Sequence, residues 1–492
     1  MRRNLIAEGN PLWADEYHWT MSYGWFKNNM HNDFKISGAF FRKNSPNCGY
    51  IVSAGLGEVL EWLDNWHLGK DDIDWLRSKK NSAGGRLFSD DFVNFVKNAK
   101  LAVNVKAVPE GELVFANEPL YSISGPCWQV EIVEAALLNV INSQFPVATK
   151  ASRVVLAAGA DGIDRRVMEF GLRRDMELGG YSAARAAFIG GCAATSNPSA
   201  ARDYGIPSSG TMAHSWVMSF EDETEAFKAF LRTYPHDGIL LPDTYETRQG
   251  IKNAVRASNE TGIPLKGIRI DSGDLAYWSK EARKILDESG KRDTQIIASN
   301  DLDEFLIENL VVVQKAAFDC FALGTKLVRA DDMGALGAVY KTKSYLGKDK
   351  IKVAQGKTTI PGATNVLRTM KNGNYAGDVI VREGSNSLKN GKLTEAIASY
   401  HLQSETQSPR KFEKGMSGYW LLQDVVVDGK IDTGHKERSL WDIQKAVKEN
   451  LQRLDAECRR LCNPHVYGVG ITAELRRKQQ ELIQAYQHKY GR

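Results

Sequence analysis

A series of short apolar runs separated by amphipathic segments constrains the fold of this chain more than any other feature. The runs occupy residues 239–241, 268–270, 296–298 and 318–323, and they begin at intervals of roughly 20–30 residues. Such alternation predicts βα units and a parallel sheet, either closed as a barrel or open. Ligands bind these sheets at the carboxyl ends of the strands, so the residues after each run are the first candidates for chemistry.

The length of the chain predicts more than one lobe. The sequence has 492 residues, whereas a single hydrophobic core stops growing at about 250–300 residues. We predict an α+β lobe over residues 1–128, an α/β barrel with the active site over 129–345, and a peripheral part over 346–492. That last part has short strands first and then helices that pack on the N-terminal lobe. Its clearest helix runs from Leu440 to Leu461, with Ser439 placed to cap the start.

Charge and apolar content exclude two classes of partner. The formal net charge is only +4 and acids and bases are intermixed, so the chain has no basic stripe for nucleic acid. No stretch approaches the ~18 consecutive apolar residues of a membrane span, and the first residues lack the apolar run of a signal peptide. The 6 cysteines are dispersed, as in proteins with reduced thiols. These observations predict a cytoplasmic protein in which anion binding is local.

The segment 268–274, Ile-Arg-Ile-Asp-Ser-Gly-Asp, is the most informative local motif. A strand here delivers the carboxylates of Asp271 and Asp274 to a glycine turn, where they suit a hydrated Mg²⁺ or the hydroxyls of a sugar. The structural alternative is that Ser272 or Asp274 caps the following helix. Arg269 alternates with two isoleucines, so on a barrel strand it points inward. It should meet an anion there, because a buried unpaired guanidinium is costly.

Three further segments carry groups that suit phosphate chemistry. After the last apolar run, Gly324 and Thr325 offer backbone amides and a hydroxyl for a phosphate, although a plain strand-to-loop turn has the same sequence. Arg173, followed by Arg174, suits bidentate phosphate binding, although paired arginines are commonly solvated. His214 lies among small and hydroxylated residues and could be a base, a nucleophile or a packed structural group.

Together these motifs resemble those of the nicotinate phosphoribosyltransferase family over nearly the whole chain. The segments that carry the resemblance, in matching order and spacing, are 169–174 (EFGLRR), 184–191 (ARAAFIGG), 195–197 (TSN), 210–216 (GTMAHSW), 271–274 (DSGD) and 336–341 (LGAVYK). The resemblance implies an irregular parallel α/β barrel of the type II phosphoribosyltransferase kind with a flanking α+β lobe, in a homodimer with shared active sites. It also implies an ATP-dependent ligase of NAD biosynthesis, which makes nicotinate mononucleotide and pyrophosphate from nicotinate and phosphoribosyl pyrophosphate.

The resemblance assigns roles to individual residues. The family's phosphorylated histidine corresponds to His214, and its nicotinate contacts correspond to Tyr17, Thr211 and Arg269. Thr325 corresponds to a contact with phosphoribosyl pyrophosphate. Two motifs depart from the family pattern, because Thr-Asp-Leu-Tyr is Ala-Asp-Glu-Tyr at 14–17 and Gly-Val-Gly-Thr is Ala-Leu-Gly-Thr at 322–325. The tyrosine and the threonine are kept.

A mechanism follows as a hypothesis. Mg²⁺ near Asp271 and Asp274, with Arg173 and the Gly324-Thr325 amides, would stabilise the departing phosphates. His214 would accept a phosphoryl group from ATP.

Three alternatives stay open: an enzyme that uses nicotinamide, a non-catalytic barrel that binds a phosphorylated sugar or nucleotide, and a barrel metallohydrolase. Arg269 favours nicotinate over nicotinamide, because leaving a buried charge unpaired costs about 3–5 kcal/mol. The histidine, the carboxylates and the threonine together argue against a non-catalytic barrel. A metallohydrolase is disfavoured because the sequence lacks clustered histidine ligands.

Overall fold

The computed structural model describes residues 6–176, 178–353, 358–402 and 408–491. The chain divides into two compact units, one formed by Met1–Phe145 with Ala335–Arg492 and the other by Pro146–Gly334. Both helices and strands occur in each unit, so the α/β class predicted from the sequence is confirmed. The predicted boundaries at residues 128 and 345 remain predictions, whereas the units themselves divide at 145 and 334. In the described ranges, no helix has both the length and the apolar character needed to cross a membrane.

The N-terminal part of the chain supplies helices and strands that pack around aromatic residues such as Phe88, Phe92 and Trp128. In chain order the elements are α1 (Glu16–Lys27), β1 (Phe34–Phe40), β2 (Ile51–Val52), α2 (Leu56–Asp64), α3 (Lys70–Ser78), α4 (Asp90–Lys97), β3 (Asn104–Ala107), β4 (Leu113–Val114), β5 (Tyr121–Pro126), α5 (Cys127–Ile132) and α6 (Glu134–Ala158).

The middle part of the chain has the predicted alternation of strands and helices. Its elements are β6 (Arg166–Glu169), a 3₁₀ turn (Leu172–Arg174), α7 (Gly179–Ile189), β7 (Ala194–Thr195), α8 (Pro198–Tyr204), α9 (His214–Met218), α10 (Glu223–Thr233), β8 (Ile239–Leu240), α11 (Thr247–Thr261), β9 (Gly267–Ile270), α12 (Leu275–Glu288), β10 (Gln295–Asn300), α13 (Glu304–Glu308), a π turn (Asn309–Val313), β11 (Cys320–Leu323) and α14 (Thr325–Arg329).

The described strands of this unit form one parallel sheet in the order β7-β6-β11-β10-β9-β8. The sheet curls as half of a barrel. Ile268, Ile270, Ile296 and Phe321 are fully buried within it, because helices cover parallel sheets and leave their strands few solvent-exposed positions. The parallel arrangement predicted from the apolar runs is therefore confirmed, and it places the ends of β6, β9, β10 and β11 at one edge.

The C-terminal part of the chain is rich in strands and ends in helices. Its elements are β12 (Val339–Tyr345), β13 (Lys348–Asp349), β14 (Thr364–Lys371), β15 (Asn374–Arg382), β16 (Leu388–Lys389), β17 (Lys392–Leu393), β18 (Ile397–His401), β19 (Arg410–Phe412), β20 (Ser417–Trp420), β21 (Gln423–Val427), β22 (Lys430–Ile431), α15 (Thr433–Lys436), α16 (Leu440–Arg453), a 3₁₀ turn (Ala456–Arg459), β23 (Val469–Ile471) and α17 (Ala473–Tyr490). Ser439 caps α16 as predicted, accepting a hydrogen bond from the Trp441 amide.

Strands from both ends of the chain share one sheet of the first unit. In the described residues its order is β13-β12-β1-β5-β3-β21-β22, so β12 pairs with β1 and β21 pairs with β3. A second sheet, β16-β17-β20-β14-β15-β23-β18-β19, uses C-terminal strands alone, and β2 pairs with β4 separately. The N-terminal strands and the peripheral part are therefore one folded body.

A buried arginine lies at the centre of this unit. Arg368 on β14 is fully buried, and its Nη2 donates to Asp378 Oδ2 at 2.7 Å while its Nε donates to the same oxygen at 3.0 Å. Glu112 lies 3.3 Å and Glu118 lies 3.8 Å from the guanidinium, and the Tyr375 ring covers it. Burial and the neighbouring Asp378 carboxylate raise the pKa of Glu118 well above its usual range. The ion pair between Arg368 and Asp378 thus links β14 and β15 through two fully buried charges.

Candidate active site

A cavity of about 640 Å³ lies at the carboxyl ends of the parallel strands. Every residue that lines it belongs to the Pro146–Gly334 unit. The lining consists of Phe170, Arg173, Arg174, Ser196, Gly210, Thr211, Met212, Ala213, His214, Arg269, Asp271, Ser299, Asn300, Asp301, Ala322, Gly324 and Thr325. Seven residues that the sequence singled out, namely Arg173, Thr211, His214, Arg269, Asp271, Gly324 and Thr325, thus meet in one place.

Arg269 presents a largely buried guanidinium to this cavity. Its Nη1 donates to Thr211 Oγ1 at 2.6 Å and its Nη2 donates to the Met212 carbonyl at 3.0 Å. In the described part of the chain its Nε has no hydrogen-bond partner. Burial lowers the pKa of Arg269, although Asp271 and Asp243 oppose this effect. A guanidinium held by neutral acceptors is prepared to bind an anionic group from a ligand.

His214 is the first residue of α9 and more than a third of its side chain is exposed. Its Nδ1 lies 3.1 Å from Thr244 Oγ1, within hydrogen-bond distance. Its Nε2 lies 3.8 Å from Asp271 Oδ2, which is beyond hydrogen-bond distance. The imidazole therefore contacts Thr244, borders Asp271 and remains accessible to a reactant.

Asp271 follows β9 and is held by hydrogen bonds from two directions. Its Oδ1 accepts from Ser299 Oγ at 2.9 Å, and its backbone amide donates to Asp243 Oδ2 at 2.8 Å. The same Asp243 oxygen accepts from Ser272 Oγ, whereas Oδ1 of Asp243 is buried without a hydrogen-bond partner in the described residues. Asp243 follows β8 as Asp271 follows β9. Asp243 was not predicted from the sequence, although the same strand-end rule identifies it.

Two loops that line the cavity are tied together by Glu169 at the end of β6. Its carboxylate accepts from Thr195 Oγ1 at 2.5 Å and from the Gly171 amide. Burial raises the pKa of Glu169, while these two donors favour the ionised form. This contact orders the turn that carries Arg173 and explains why the Glu-Phe-Gly-Leu-Arg-Arg segment is a structural unit.

Gly324 and Thr325 join β11 to α14 beside the Phe170 backbone. A Cβ at position 324 would lie 3.4 Å from the Phe170 carbonyl oxygen, which is an ordinary van der Waals contact, so the backbone of this turn packs closely against Phe170. Arg173 donates to the same carbonyl at 3.5 Å. The turn thus brings backbone amides, a hydroxyl and a guanidinium to one wall of the cavity.

Two of the predicted residues do not line this cavity. Asp274 caps α12, because its Oδ1 accepts from the Tyr277 amide at 3.0 Å, as the structural alternative predicted. Tyr17 lies on α1 in the other unit, where its ring centroid is 4.0 Å from that of His18. About half of the Tyr17 side chain is exposed, and burial of its hydroxyl together with Glu134 raises its pKa to about 12. Its predicted contact with nicotinate stays a prediction.

His18, Glu131 and Glu134 form the one described set of side chains that is close enough to hold a metal ion. The Asp15 amide donates to His18 Nδ1 at 3.1 Å, so the proton of the neutral ring is on Nε2. Nε2 faces Glu134 at 3.6 Å, and Glu131 is paired with Lys35. A protonated Nε2 cannot ligate a metal, so we assign no ion to this set, in which His18 Nε2 has no hydrogen-bond partner among the described residues.

Asp271 and Asp301 are the acidic residues in the lining of the cavity, so they are the candidates to hold a magnesium ion there. Mg²⁺ is usually held by one or two carboxylates together with water and substrate phosphates, and it does not need a full protein cage. Asp301, Asn300 and Ser299 follow β10 and were not predicted, although they too stand at a strand end.

Comparison with known proteins gives a consistent result. Three family models match: the nicotinate phosphoribosyltransferase N-terminal domain over residues 12–142, the nicotinate phosphoribosyltransferase family over 165–387, and the corresponding C-terminal domain over 364–479. A nicotinate phosphoribosyltransferase of Bacillus subtilis is 36% identical over 483 residues, which cover 94% of this chain and 93% of that protein. The nicotinate phosphoribosyltransferase pncB2 of Mycobacterium tuberculosis is 38% identical over 76% of this chain and 79% of its own length.

Solved structures with similar folds are more distant in sequence. The crystal structure of human nicotinic acid phosphoribosyltransferase has a TM-score of 0.81 at 24% identity, with 95% of this chain and 99% of that chain covered. The nicotinate-nucleotide pyrophosphorylase of Pyrococcus furiosus has a TM-score of 0.70 at 21% identity, with 92% and 97% covered. At these identities the likeness concerns the fold, and it agrees with the predicted irregular α/β barrel.

Proposed function

This chain belongs to the nicotinate phosphoribosyltransferase family of NAD biosynthesis, and on that premise we propose how its cavity makes nicotinate mononucleotide. The substrates are nicotinate and phosphoribosyl pyrophosphate, and the second product is pyrophosphate. Hydrolysis of ATP is coupled to this transfer. The observation that carries the proposal is the Arg269 guanidinium, which is buried, held by neutral acceptors and open to the cavity.

Arg269 selects and orients the pyridine. Its guanidinium pairs with the nicotinate carboxylate, while Thr211 fixes its Nη1 from the other side. Nicotinamide offers a neutral amide in the same place and leaves the buried charge uncompensated, so it should bind less well. The buried guanidinium therefore favours nicotinate over nicotinamide as the substrate. Tyr17, from the same or from a neighbouring subunit of a homodimer, supplies an aromatic face for the ring.

Transfer itself needs no protein nucleophile. The ring nitrogen forms a bond to C1 of the ribose as the bond from C1 to the pyrophosphate oxygen breaks, and the electron pair leaves with the pyrophosphate. Positioning of the two substrates lowers the barrier, and donors aimed at the leaving group stabilise its growing charge. Arg173, with the Gly324 and Thr325 amides, is placed for the second task. When bound at Asp271 and Asp301, Mg²⁺ supplies Lewis-acid stabilisation of the phosphates.

His214 links the cavity to ATP. A ring nitrogen forms a bond to the γ-phosphorus as the bond to the ADP oxygen breaks, and water later cleaves the phosphohistidine to inorganic phosphate. Asp271 at 3.8 Å and Thr244 at 3.1 Å steady the imidazole through this cycle. Exposure of the ring toward the cavity is what such a transfer requires.

Pyrophosphate release tests the proposal. The wild-type chain should release pyrophosphate from phosphoribosyl pyrophosphate and Mg²⁺ when nicotinate is present, faster when ATP is added, and at least about a hundredfold more slowly with nicotinamide. Comparable rates with both rings would identify a nicotinamide-using enzyme. Absence of release with either ring would instead indicate a barrel that binds a phosphorylated ligand without turnover.

A further inference from the structure

The turn that follows β8 contacts two groups of the candidate active site. Asp243 on this turn is only 9% exposed, and its Oδ2 accepts hydrogen bonds from the Asp271 amide and from Ser272 Oγ, both at 2.8 Å. The next residue, Thr244, places its Oγ1 3.1 Å from His214 Nδ1. Two adjacent residues thus contact the loop after β9 and the imidazole, although neither is among the described residues that line the cavity.

Asp271 is the residue through which His214 and Arg269 can affect each other, and all three line the cavity. Its Oδ2 lies 3.8 Å from His214 Nε2. Burial lowers the pKa of Arg269, and the charge of Asp271 opposes this effect. A phosphoryl group on His214 would add negative charge beside the Asp271 carboxylate, and like charges repel. Phosphorylation would therefore change the electrostatic surroundings of the guanidinium that we assign to nicotinate.

A change of charge at His214 reaches Arg269 through Asp271 only if Asp271 stays in place. A free carboxylate would swing away from a phosphoryl group and relax the repulsion locally. Asp271 is held, because Ser299 Oγ donates to its Oδ1 at 2.9 Å and Asp243 accepts from its backbone amide. Ser299 holds the side chain, whereas Asp243 holds the backbone that carries it. Hydrogen-bond networks of this kind transmit energetic coupling between groups.

We propose that Asp243 is a positioning residue that couples phosphorylation of His214 to transfer at the sugar. It does so by fixing the backbone of Asp271, while the neighbouring Thr244 fixes the imidazole. Without this hold, ATP would still phosphorylate His214 and water would still cleave the phosphohistidine, but that cleavage would proceed without transfer. The inference rests on the proposed function and deepens it, because it names how ATP hydrolysis is coupled within the same site.

The number of ATP molecules hydrolysed per pyrophosphate released tests this inference. ADP and pyrophosphate would be measured in the same reaction with nicotinate, phosphoribosyl pyrophosphate, ATP and Mg²⁺. The wild-type chain should have a ratio of about one, because one imidazole carries one phosphoryl group per cycle. Asp243→Ala should raise this ratio at least about fivefold, the factor that corresponds to the loss of one hydrogen bond. A ratio, unlike a rate, does not change when a variant merely loses part of its folded protein.

Three more variants separate this role from a structural one. Asp243→Asn keeps an oxygen that can accept from the Asp271 amide, so its ratio should stay near the wild-type value. Thr244→Val removes the hydroxyl beside His214 and should raise the ratio as Asp243→Ala does, and it replaces that variant if the alanine chain does not fold. Thr247→Val, at the first residue of α11, is a matched control that should leave the ratio unchanged.

Two results would overturn this inference alone. One is an unchanged ratio in Asp243→Ala, or in Thr244→Val where the alanine variant does not fold. The other is an equal increase in Asp243→Asn and Asp243→Ala, which would mean that the charge of Asp243 matters and its hold on Asp271 does not. Absence of phosphohistidine from the wild-type chain would refute the proposed function and this inference together, so the two failures are distinguishable.

Discussion

Replacement of Arg269 by glutamine gives the sharpest test of how the cavity recognises its ring substrate. Arg269 donates to the neutral Thr211 hydroxyl and Met212 carbonyl, and although Asp271 and Asp243 also favour its charged form, the direct ionic partner that we propose for it is the carboxylate of nicotinate. Loss of one member of a buried ion pair costs about 3–5 kcal/mol, which corresponds to roughly 10²–10⁴-fold in kcat/KM for nicotinate. Nicotinamide carries no charge, so its kcat/KM should change by less than about tenfold.

Thr211→Val provides the scale for that comparison. It removes one neutral acceptor at 2.6 Å and should cost about 1–2 kcal/mol, or roughly 5–30-fold, with the stronger effect on nicotinate. Arg166→Gln, at the exposed amino end of β6, is a matched control that should leave kcat/KM unchanged for both nicotinate and nicotinamide. Steady-state pyrophosphate release with both rings measures all three variants. Equal losses for nicotinate and nicotinamide in Arg269→Gln would refute the assignment of this guanidinium to the carboxylate.

Three further results are expected. His214→Ala should abolish acid-labile phosphate on the protein after incubation with labelled ATP while slow, uncoupled transfer continues; labelled phosphate in the variant would show that another residue is phosphorylated. Asp378→Asn should lower the free energy of unfolding in urea by about 3 kcal/mol, because it breaks the buried ion pair with Arg368. A loss below about 1 kcal/mol would mean that Glu112 and Glu118 balance the charge of Arg368 without Asp378. Burial on folding lowers the pKa of Lys343 from 10.5 to about 8. Between these two pH values the unfolded chain holds a proton that the folded chain has released, so the free energy of unfolding should rise with pH. Urea unfolding at about pH 8 and about pH 10 should show a smaller rise in this free energy for Lys343→Met than for the wild-type chain.

The parallel sheet could be predicted where local pattern reflects the fold. The runs at 268–270 and 296–298 became β9 and β10, and Arg269 on β9 faces a cavity as its alternation with isoleucines indicated. Strand β7, Ala194–Thr195, escaped notice because it has no run of large apolar residues, unlike the equally short β8 at Ile239–Leu240. The helix predicted over 440–461 ends at Arg453, because Leu454 is extended and a 3₁₀ turn follows, although the apolar spacing continues.

The composition of the cavity could be predicted only in part. Motifs led to Thr211, His214 and Asp271, whereas Asp243 and Ser299, which hold Asp271, lie at strand ends but belong to none of those motifs. Asp274 caps α12 through Oδ1, as one of the two readings of its motif predicted, whereas its assignment to metal binding stays a prediction. Which strand-end residues meet depends on pairing between strands that are far apart in sequence, and a single sequence does not encode that pairing locally.

The sharing of one sheet by both ends of the chain has a consequence for how the protein is made. A ribosome delivers β1 and β3 long before β12 and β21, their eventual neighbours in that sheet. Until then one edge of each strand exposes unpaired backbone N–H and C=O groups that can pair with other chains. Pairing between strands some three hundred residues apart in sequence is also slow. The nascent N-terminal segment should therefore depend on chaperones during translation, and a chain that stops before residue 339 should aggregate instead of accumulating as a folded fragment.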